Sequence, residues 1–277
     1  MRVAVLIASY NRVSITLRGL DSLHIAFSGV PSLDLHVFLV DDASPDETGK
    51  FVKERFPNVV VIMGTGQLYW NGGMCRAFAA ARDYGRFDAY LLYNDDVEVI
   101  PSAIRTFIDE YKELNRNSLC ILAGATISAR TGVVSYGGFR QLSRFRALSF
   151  ARVPLTGKIE DIDTFNGNCV LVPGPFFEQV GGPDPAYVQY YADIDLGLVA
   201  TRYGVAVKLW RQPVGYCESD ESGANKRGSW LFRLRASFGG TSSLREYLHF
   251  VIKHRMLWLL PIYAAQSIIR RFLKSLK

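Results

Sequence analysis

Five apolar runs of strand length recur through the first half of the chain and constrain its fold more than any other feature: Val3 to Ala8, Leu35 to Val40, Val59 to Met63, Ala89 to Tyr93 and Cys120 to Ala125. Helical patterns lie between them, with Val13, Leu17, Leu20 and Leu23 at 3.6-residue spacing, then Phe51 to Phe56, Gly73 to Tyr84 and Pro101 to Leu114. A strand that is apolar at nearly every position has no face left for water. The alternation therefore predicts a parallel sheet covered by helices on both sides. Ser44-Pro45-Asp46-Glu47 reads as a capping box with Pro at the first helical position, starting a helix directly behind Asp41-Asp42. Thr131 to Lys158, with Gly132, Gly137-Gly138 and a series of Arg, reads either as a mobile loop over the site or as a solvated connection. Periodic order returns at Phe165 to Val172, in the helix-like Asp193 to Tyr203, and at Val205 to Leu209.

With 277 residues, 49% apolar and 21% charged, the chain can fill a core and lacks the polar bias of disorder. No internal period is visible, which removes coiled coils, collagen and solenoids. Cys75, Cys120, Cys169 and Cys217 are far apart, form no C-x-x-C pair and are matched by only four His, so a reduced cytosolic chain is the simplest reading. The net charge of +6 is unevenly spread. From Ala224 to Lys277 eleven Lys or Arg stand against one acid, Glu246, so the residues before them are net acidic. That basic stretch is interleaved with Trp230, Phe232, Phe238, Tyr247, Phe250, Trp258 and Phe272, a composition that suits an anionic membrane surface and not nucleic acid. Met256 to Ile269 is uncharged but shorter than the roughly 20 residues of a bilayer span and contains Pro261, so it is expected to lie in the interface. A strand-like start without a cationic stretch followed by an apolar one sets the expectation that the protein is not secreted. The expected location is cytoplasmic, peripheral on the inner face of the cell membrane.

In a parallel sheet, ligands bind beyond the carboxyl ends of the strands. The residues there are Ser9-Tyr10-Asn11-Arg12, Asp41-Asp42, the glycine-rich Gly64 to Gly73, and Asn94-Asp95-Asp96. Adjacent carboxylates repel unless a cation or ligand compensates, and Asp95-Asp96 suits a hard divalent ion held with phosphate oxygens. Asp41-Asp42 is either a helix-initiating turn or an acceptor for a ribose hydroxyl or base N–H. Tyr69-Trp70 either stacks on a base or sugar or fills the core. Neither G-x-x-x-x-G-K-[ST] nor G-x-G-x-x-G is present in place, which argues against P-loop hydrolysis and dinucleotide oxidoreduction. Asp193 and Asp195, two apart on a helix, do not share a face. Asp193 is the better base candidate, although an acid in a first turn also simply complements the helix dipole.

In order, V-A-V-L-I-A-S-Y-N-R, F-L-V-D-D-A-S-P-D-E-T, Y-N-D-D-V, F-N-G-N-C-V-L-V-P, G-G-P-D-P-A-Y and Y-Y-A-D-I-D-L-G-L resemble the family 2 inverting glycosyltransferases over about residues 1 to 220. G-Q-L-Y-W-N-G-G-M looks like the W-x-G loop of rhamnosyltransferase-like members that build bacterial surface polysaccharides. The resemblance implies a GT-A nucleotide-diphospho-sugar transferase fold, α/β with a mostly parallel central sheet flanked by helices. It implies a transferase domain over 1–222, divided into a nucleotide-sugar half (1–126) and an acceptor half (127–222), followed by a basic amphipathic helical tail (223–277). It further implies that Ala8, Tyr10, Arg12, Gly66, Trp70, Asn94 and Asp95 line the donor pocket, with Asp41 or Asp42 at the base. Asp96, with Asp95, would hold Mg²⁺ or Mn²⁺, and Asp193 would serve as general base on a saccharide or lipid-linked saccharide acceptor. Three positions depart from the family pattern: Ala192 stands where Glu usually precedes the catalytic Asp, Cys75 replaces an Asn, and Cys217 or Glu218 stands in for a late metal-ligating His. Two other functions remain open at this point: a sugar-nucleotide-binding scaffold without activity, and a nucleotidyltransferase that makes sugar nucleotides. The second lacks the phosphate loop it needs after strand one.

Overall fold

The run from Val3 to Ile7 is fully buried because it has protein on both sides. In the computed structural model, which describes residues 1–30, 32–143, 149–218 and 241–254, it belongs to β1 (Arg2–Ser9). Val3, Val5 and Ile7 enter one core with Leu20, Leu23, Phe107 and Ile108, while Ala4 and Leu6 enter the other with Phe78, Tyr90 and Phe177. This two-faced burial is the strand's period of two at work. Each Val, Leu or Ile side chain among them contributes about 1.5–3 kcal/mol on burial.

The elements follow in the order α1 (Val13–Ser28), β2 (Asp34–Asp41), α2 (Thr48–Arg55), β3 (Val60–Met63), α3 (Tyr69–Tyr84), β4 (Ala89–Tyr93), β5 (Glu98–Val99), α4 (Pro101–Leu114) and β6 (Cys120–Ile127). Then come β7 (Val134–Tyr136), β8 (Gly138–Gln141), β9 (Phe150–Arg152), β10 (Glu160–Asp161), β11 (Thr164–Phe165), β12 (Cys169–Pro173), α5 (Gly174–Val180), α6 (Ala192–Arg202) and β13 (Ala206–Tyr216). The last described element is α7 (Thr241–Lys253). The main sheet runs β10-β13-β6-β12-β4-β1-β2-β3, and β11-β8-β9 forms a second, small sheet.

Strands β1, β2, β3 and β4 are parallel as their apolar runs predict, and β13 is parallel to β6. The sheet is nevertheless mixed, because β12 inserts antiparallel between β4 and β6. An apolar strand carries no signal of its direction, so the sequence could not supply this. Phe165 to Val172 is also not one strand: residues 166–168 turn between β11 and β12. The stretch 131–158 is partly ordered as β7, β8 and β9 and is not simply a loop, with residues 144–148 outside the described set.

The capping box is not formed. Helix α2 starts at Thr48, three residues late, because Ser44 Oγ accepts from the Asn11 N–H (2.9 Å) and the cap passes to Asp46, which accepts from Thr48 N–H (3.2 Å). Helix α3 starts at Tyr69 and not Gly73, so Tyr69 and Trp70 sit on a helix's first turn instead of a loop.

The tail is not wholly a surface element. Helix α7 packs Tyr247, Phe250 and Val251 against Tyr187 and Ala192. Lys253 ion-pairs with Asp184 (2.6 Å) and Asp195 (2.7 Å), and the His254 ring donates to Asp195 (2.8 Å). The apolar run at 256–269 and the aromatic-basic stretch before residue 241 lie outside the described residues. No helix among the described residues is long and apolar enough to cross a membrane.

Candidate active site

Four loops beyond the carboxyl ends of β1 to β4 are stitched together by hydrogen bonds. Asp42 N–H donates to Ser9 O (2.9 Å) and Gly64 N–H to Asp41 O (2.7 Å). The Asp41 carboxylate accepts from Ser44 N–H (3.0 Å) and Gly49 N–H (2.9 Å) and is buried. Asp42, also buried, accepts from Thr65 and Gly66 on one oxygen (3.0 and 2.8 Å) and from Leu68 and Tyr69 on the other (2.8 and 3.2 Å). Four donors fill a carboxylate's lone pairs. This pair therefore shapes the rim by fixing the 64–69 loop, where Gly66 takes φ +81° at its turn.

The acidic pair after β4 is held differently. Asp95 is 1% exposed; its Oδ2 accepts from Thr16 Oγ1 (2.8 Å) and its Oδ1 lies 2.6 Å from the Arg12 guanidinium. Burial raises the Asp95 pKa, with Arg12 pulling against it and Asp96 adding to it. Arg12 also reaches Asp96 Oδ2 (3.4 Å), so one cation lies between two carboxylates. The other Asp96 oxygen meets Cys217 Sγ at 3.4 Å. Burial, then the nearby Asp96, push the Cys217 thiol well above its ordinary range, so it stays protonated and donates. Glu218 lines the same cavity but binds Ser128 and Arg130, accepting from Ser128 Oγ (2.8 Å) and Arg130 Nε (3.2 Å). Arg12, Asn94, Asp96, Tyr136, Tyr216 and Cys217 line a cavity of about 490 Å³. Ala8 is buried below this rim, and Tyr10 is exposed on it.

The 94–96 turn connects to Asp193 through direct contacts. Trp70 Nε1 donates to Asn94 Oδ1 (2.7 Å). The Trp70 ring lies on Gly167 so closely that a Cβ there would come within 2.6 Å of the ring and 3.7 Å of Asp193 Cβ. Gly167 N–H donates to Asp193 Oδ2 (3.3 Å), and Ile194 N–H to Oδ1 (2.8 Å). Asn168 O accepts from Asn94 N–H (2.9 Å), closing the strip behind. Burial raises the Asp193 pKa, outweighing these amide bonds, which lower it. Asp195 faces the other way, buried against Tyr187, Lys253 and His254. Residue patterns gave no reason to single out Thr16, Gly167 or Asn168. The F-N-G-N-C run was visible, but nothing in it said which residue meets the Trp ring.

Among the described residues no three or more His, Cys, Asp or Glu side chains cluster to hold a metal ion by themselves. The half-exposed Asp96 carboxylate instead fits an ion shared with a ligand's phosphates, the way Mg²⁺ is commonly bound.

Residues 4–147, more than half of the chain, match the sequence profile of glycosyl transferase family 2. Over 185 residues the chain is 27% identical to the N-acetylglucosaminyl-diphospho-decaprenol L-rhamnosyltransferase of Mycobacterium tuberculosis, in strains CDC 1551 / Oshkosh and ATCC 25618 / H37Rv. That overlap covers 58% of this chain and 59% of the length of those curated relatives. The fold is similar to that of GalNAc-T7 solved with UDP, GalNAc and Mn²⁺ (TM-score 0.63, 14% identity, 90% of this chain and 48% of that one). It is also similar to the mannosyltransferase PcManGT from Pyrobaculum calidifontis, solved with GDP-Man and Mn²⁺ (TM-score 0.52, 16% identity, 95% and 73%), and to S. aureus TarS 1-349 (TM-score 0.52, 14% identity, 79% and 60%). The central sheet with helices on both faces is thus the GT-A arrangement. Loop order along the sheet edge, the Asp-Asp turn after β4 and the match over residues 4–147 agree, and the chain belongs to glycosyl transferase family 2.

Proposed function

We propose that this protein moves a sugar from a nucleotide-diphospho-sugar to a hydroxyl of a saccharide or lipid-linked saccharide, with inversion at C1. The observation that supports this reading is the run of contacts from Asn94, in the same turn as Asp95 and Asp96, through Trp70 and Gly167 to Asp193. Asp193 takes the proton of the acceptor hydroxyl as its oxygen attacks C1 on the face opposite the leaving nucleoside diphosphate. Two backbone N–H groups aim the carboxylate, and burial raises its pKa, which makes it a stronger proton acceptor. Arg12 pairs closely with Asp95 (2.6 Å) and more loosely with Asp96 (3.4 Å), and Asp96 lines the cavity, where it would hold Mg²⁺ or Mn²⁺ together with the diphosphate. An ion bound there would supply charge compensation for the diphosphate as it leaves. Cys217, a protonated thiol at Asp96, serves as a hydrogen-bond donor there. Asp41 and Asp42 contribute to the base pocket through the 64–69 loop they fix.

The rhamnosyltransferase relative and the W-x-G stretch favour an L-rhamnosyl donor and an N-acetylglucosaminyl-diphospho-lipid acceptor. We place the donor half in residues 1–126 and the acceptor half in 127–222. The basic aromatic residues outside the described set would bring the protein to the inner face of the cell membrane, where such an acceptor lies. A thermal-shift screen of dTDP-, UDP- and GDP-sugars with and without Mn²⁺ tests the donor side, since a ligand bound only to the native state raises its apparent stability. A shift with one nucleotide family that grows with Mn²⁺ is expected. No shift with any of them contradicts the proposal.

A further inference from the structure

Asp193 sits in the first turn of α6, and the chain leading to it has no regular secondary structure from residue 183 onward. At the N-cap, Tyr191 takes φ +69°. The lead-in segment is held from two sides. From α3, Asn71 Nδ2 donates to Asp184 O and Tyr187 O (both 2.8 Å), and Asn71 N–H donates to Val188 O (3.2 Å). From α7, Glu246 Oε2 accepts from Gln189 N–H (3.3 Å) and Tyr190 N–H (2.8 Å), the two amides immediately before the N-cap.

Glu246 is 1% exposed, and its Oε1 is buried with no hydrogen-bond partner among the described residues. A desolvated carboxylate with one idle oxygen is a costly way to tie down a loop. Stability therefore gives no account of it. What it does provide is direction, since two amides converging on one oxygen fix the orientation of the peptides on which α6 begins. The apolar contacts of Tyr247, Phe250 and Val251 with Tyr187 and Ala192 hold Glu246 in place on the loop's far side.

We infer that Glu246 is a positioning residue for the transfer reaction, setting the first turn of α6 so that Asp193 stands against Gly167 and Trp70. The inference rests on the proposal that Asp193 is the base. It also gives the basic C-terminal region a part in chemistry beyond any membrane contact. A displacement of the base by about 1 Å can cost on the order of a hundredfold in rate.

The test compares wild type, Glu246→Asp and Glu246→Gln in the full chain, measuring kcat and the KM of each substrate with a dTDP-, UDP- or GDP-sugar and a water-soluble N-acetylglucosaminyl-diphospho-lipid analogue. Asp is one methylene shorter and withdraws the oxygen from the amides, whereas Gln keeps an acceptor oxygen at the same reach. The expected result is a kcat at least about tenfold lower in E246D with the donor KM unchanged, and a kcat within about threefold of wild type in E246Q. Wild-type kcat in E246D, a tenfold fall in E246Q, or a donor affinity that falls in step with kcat overturns the inference. A wild-type chain that binds donor yet transfers nothing to the acceptor overturns the base assignment and the inference together, and is told apart by the wild-type control.

Discussion

Asp193 costs the folded protein stability in its ionised form, the form that the proposed base requires. Its folded pKa is raised by burial, so the favourable contribution belongs to the protonated carboxyl. That contribution is whole below the unfolded value and is lost as pH rises through the folded value. At neutral pH Asp193→Asn is expected to melt at or above the wild-type temperature while transfer falls roughly 10²–10⁴-fold. Calorimetry and a turnover assay on the same preparation check both halves. Gly167 is the second residue with a sharp expectation. A Cβ there would come within 2.6 Å of the Trp70 ring, so Gly167→Ala should destabilise by about 1–3 kcal/mol and lower transfer by moving Trp70 away from Asn94. Chemical denaturation and kcat measure the two effects. The acids on the rim were legible in the sequence because they follow apolar strands. The division of labour among them was not, since it depends on which backbone amides fold over Asp41 and Asp42, and that is a tertiary fact.

At the scale of elements, Asp46 joins two helices. It accepts from Val13 N–H (2.8 Å) at the start of α1 and from Thr48 at the start of α2. Asp46→Ala should cost roughly 1–2 kcal/mol, read from denaturant midpoints, because it removes caps from both. Helix α7 is fastened by Asp184, where burial alone would raise the pKa but hydrogen bonds from Lys253, His249 and Ala186 N–H outweigh it and hold it at about 2, against an ordinary 3.8. A depressed carboxylate stabilises fully above its unfolded value and loses that contribution as pH falls through its folded one. A melting series should therefore show about 2 kcal/mol lost between about pH 4 and 2, a loss absent in Asp184→Asn. The elements themselves divide in the same way by legibility. Strand β1 could be read from sequence because both its faces are buried. Neither the direction of β12 nor the docking of α7 could, since Phe250 and Lys253 look the same on a membrane-facing helix as on one packed against Tyr187 and Asp184.

For the whole molecule, the basic residues remaining outside α7's ion pairs are the ones on which the proposed membrane attachment rests. Each Lys or Arg near anionic lipid contributes on the order of 1 kcal/mol at physiological salt. Sedimentation with anionic vesicles should weaken steeply as salt rises, and salt-insensitive binding would argue against an electrostatic anchor. Contacts run from Asn94 through Trp70 and Gly167 to Asp193, and Glu246 of α7 holds the segment before it, so the central proposal is that these groups carry out glycosyl transfer through Asp193. The most direct measurement is sugar transfer to an N-acetylglucosaminyl-diphospho-lipid, wild type beside Asp193→Asn, with donor binding followed in both. Transfer by wild type and a loss of about a hundredfold or more in the variant, at undiminished donor binding, is the expected result. Equal transfer by the two proteins contradicts it.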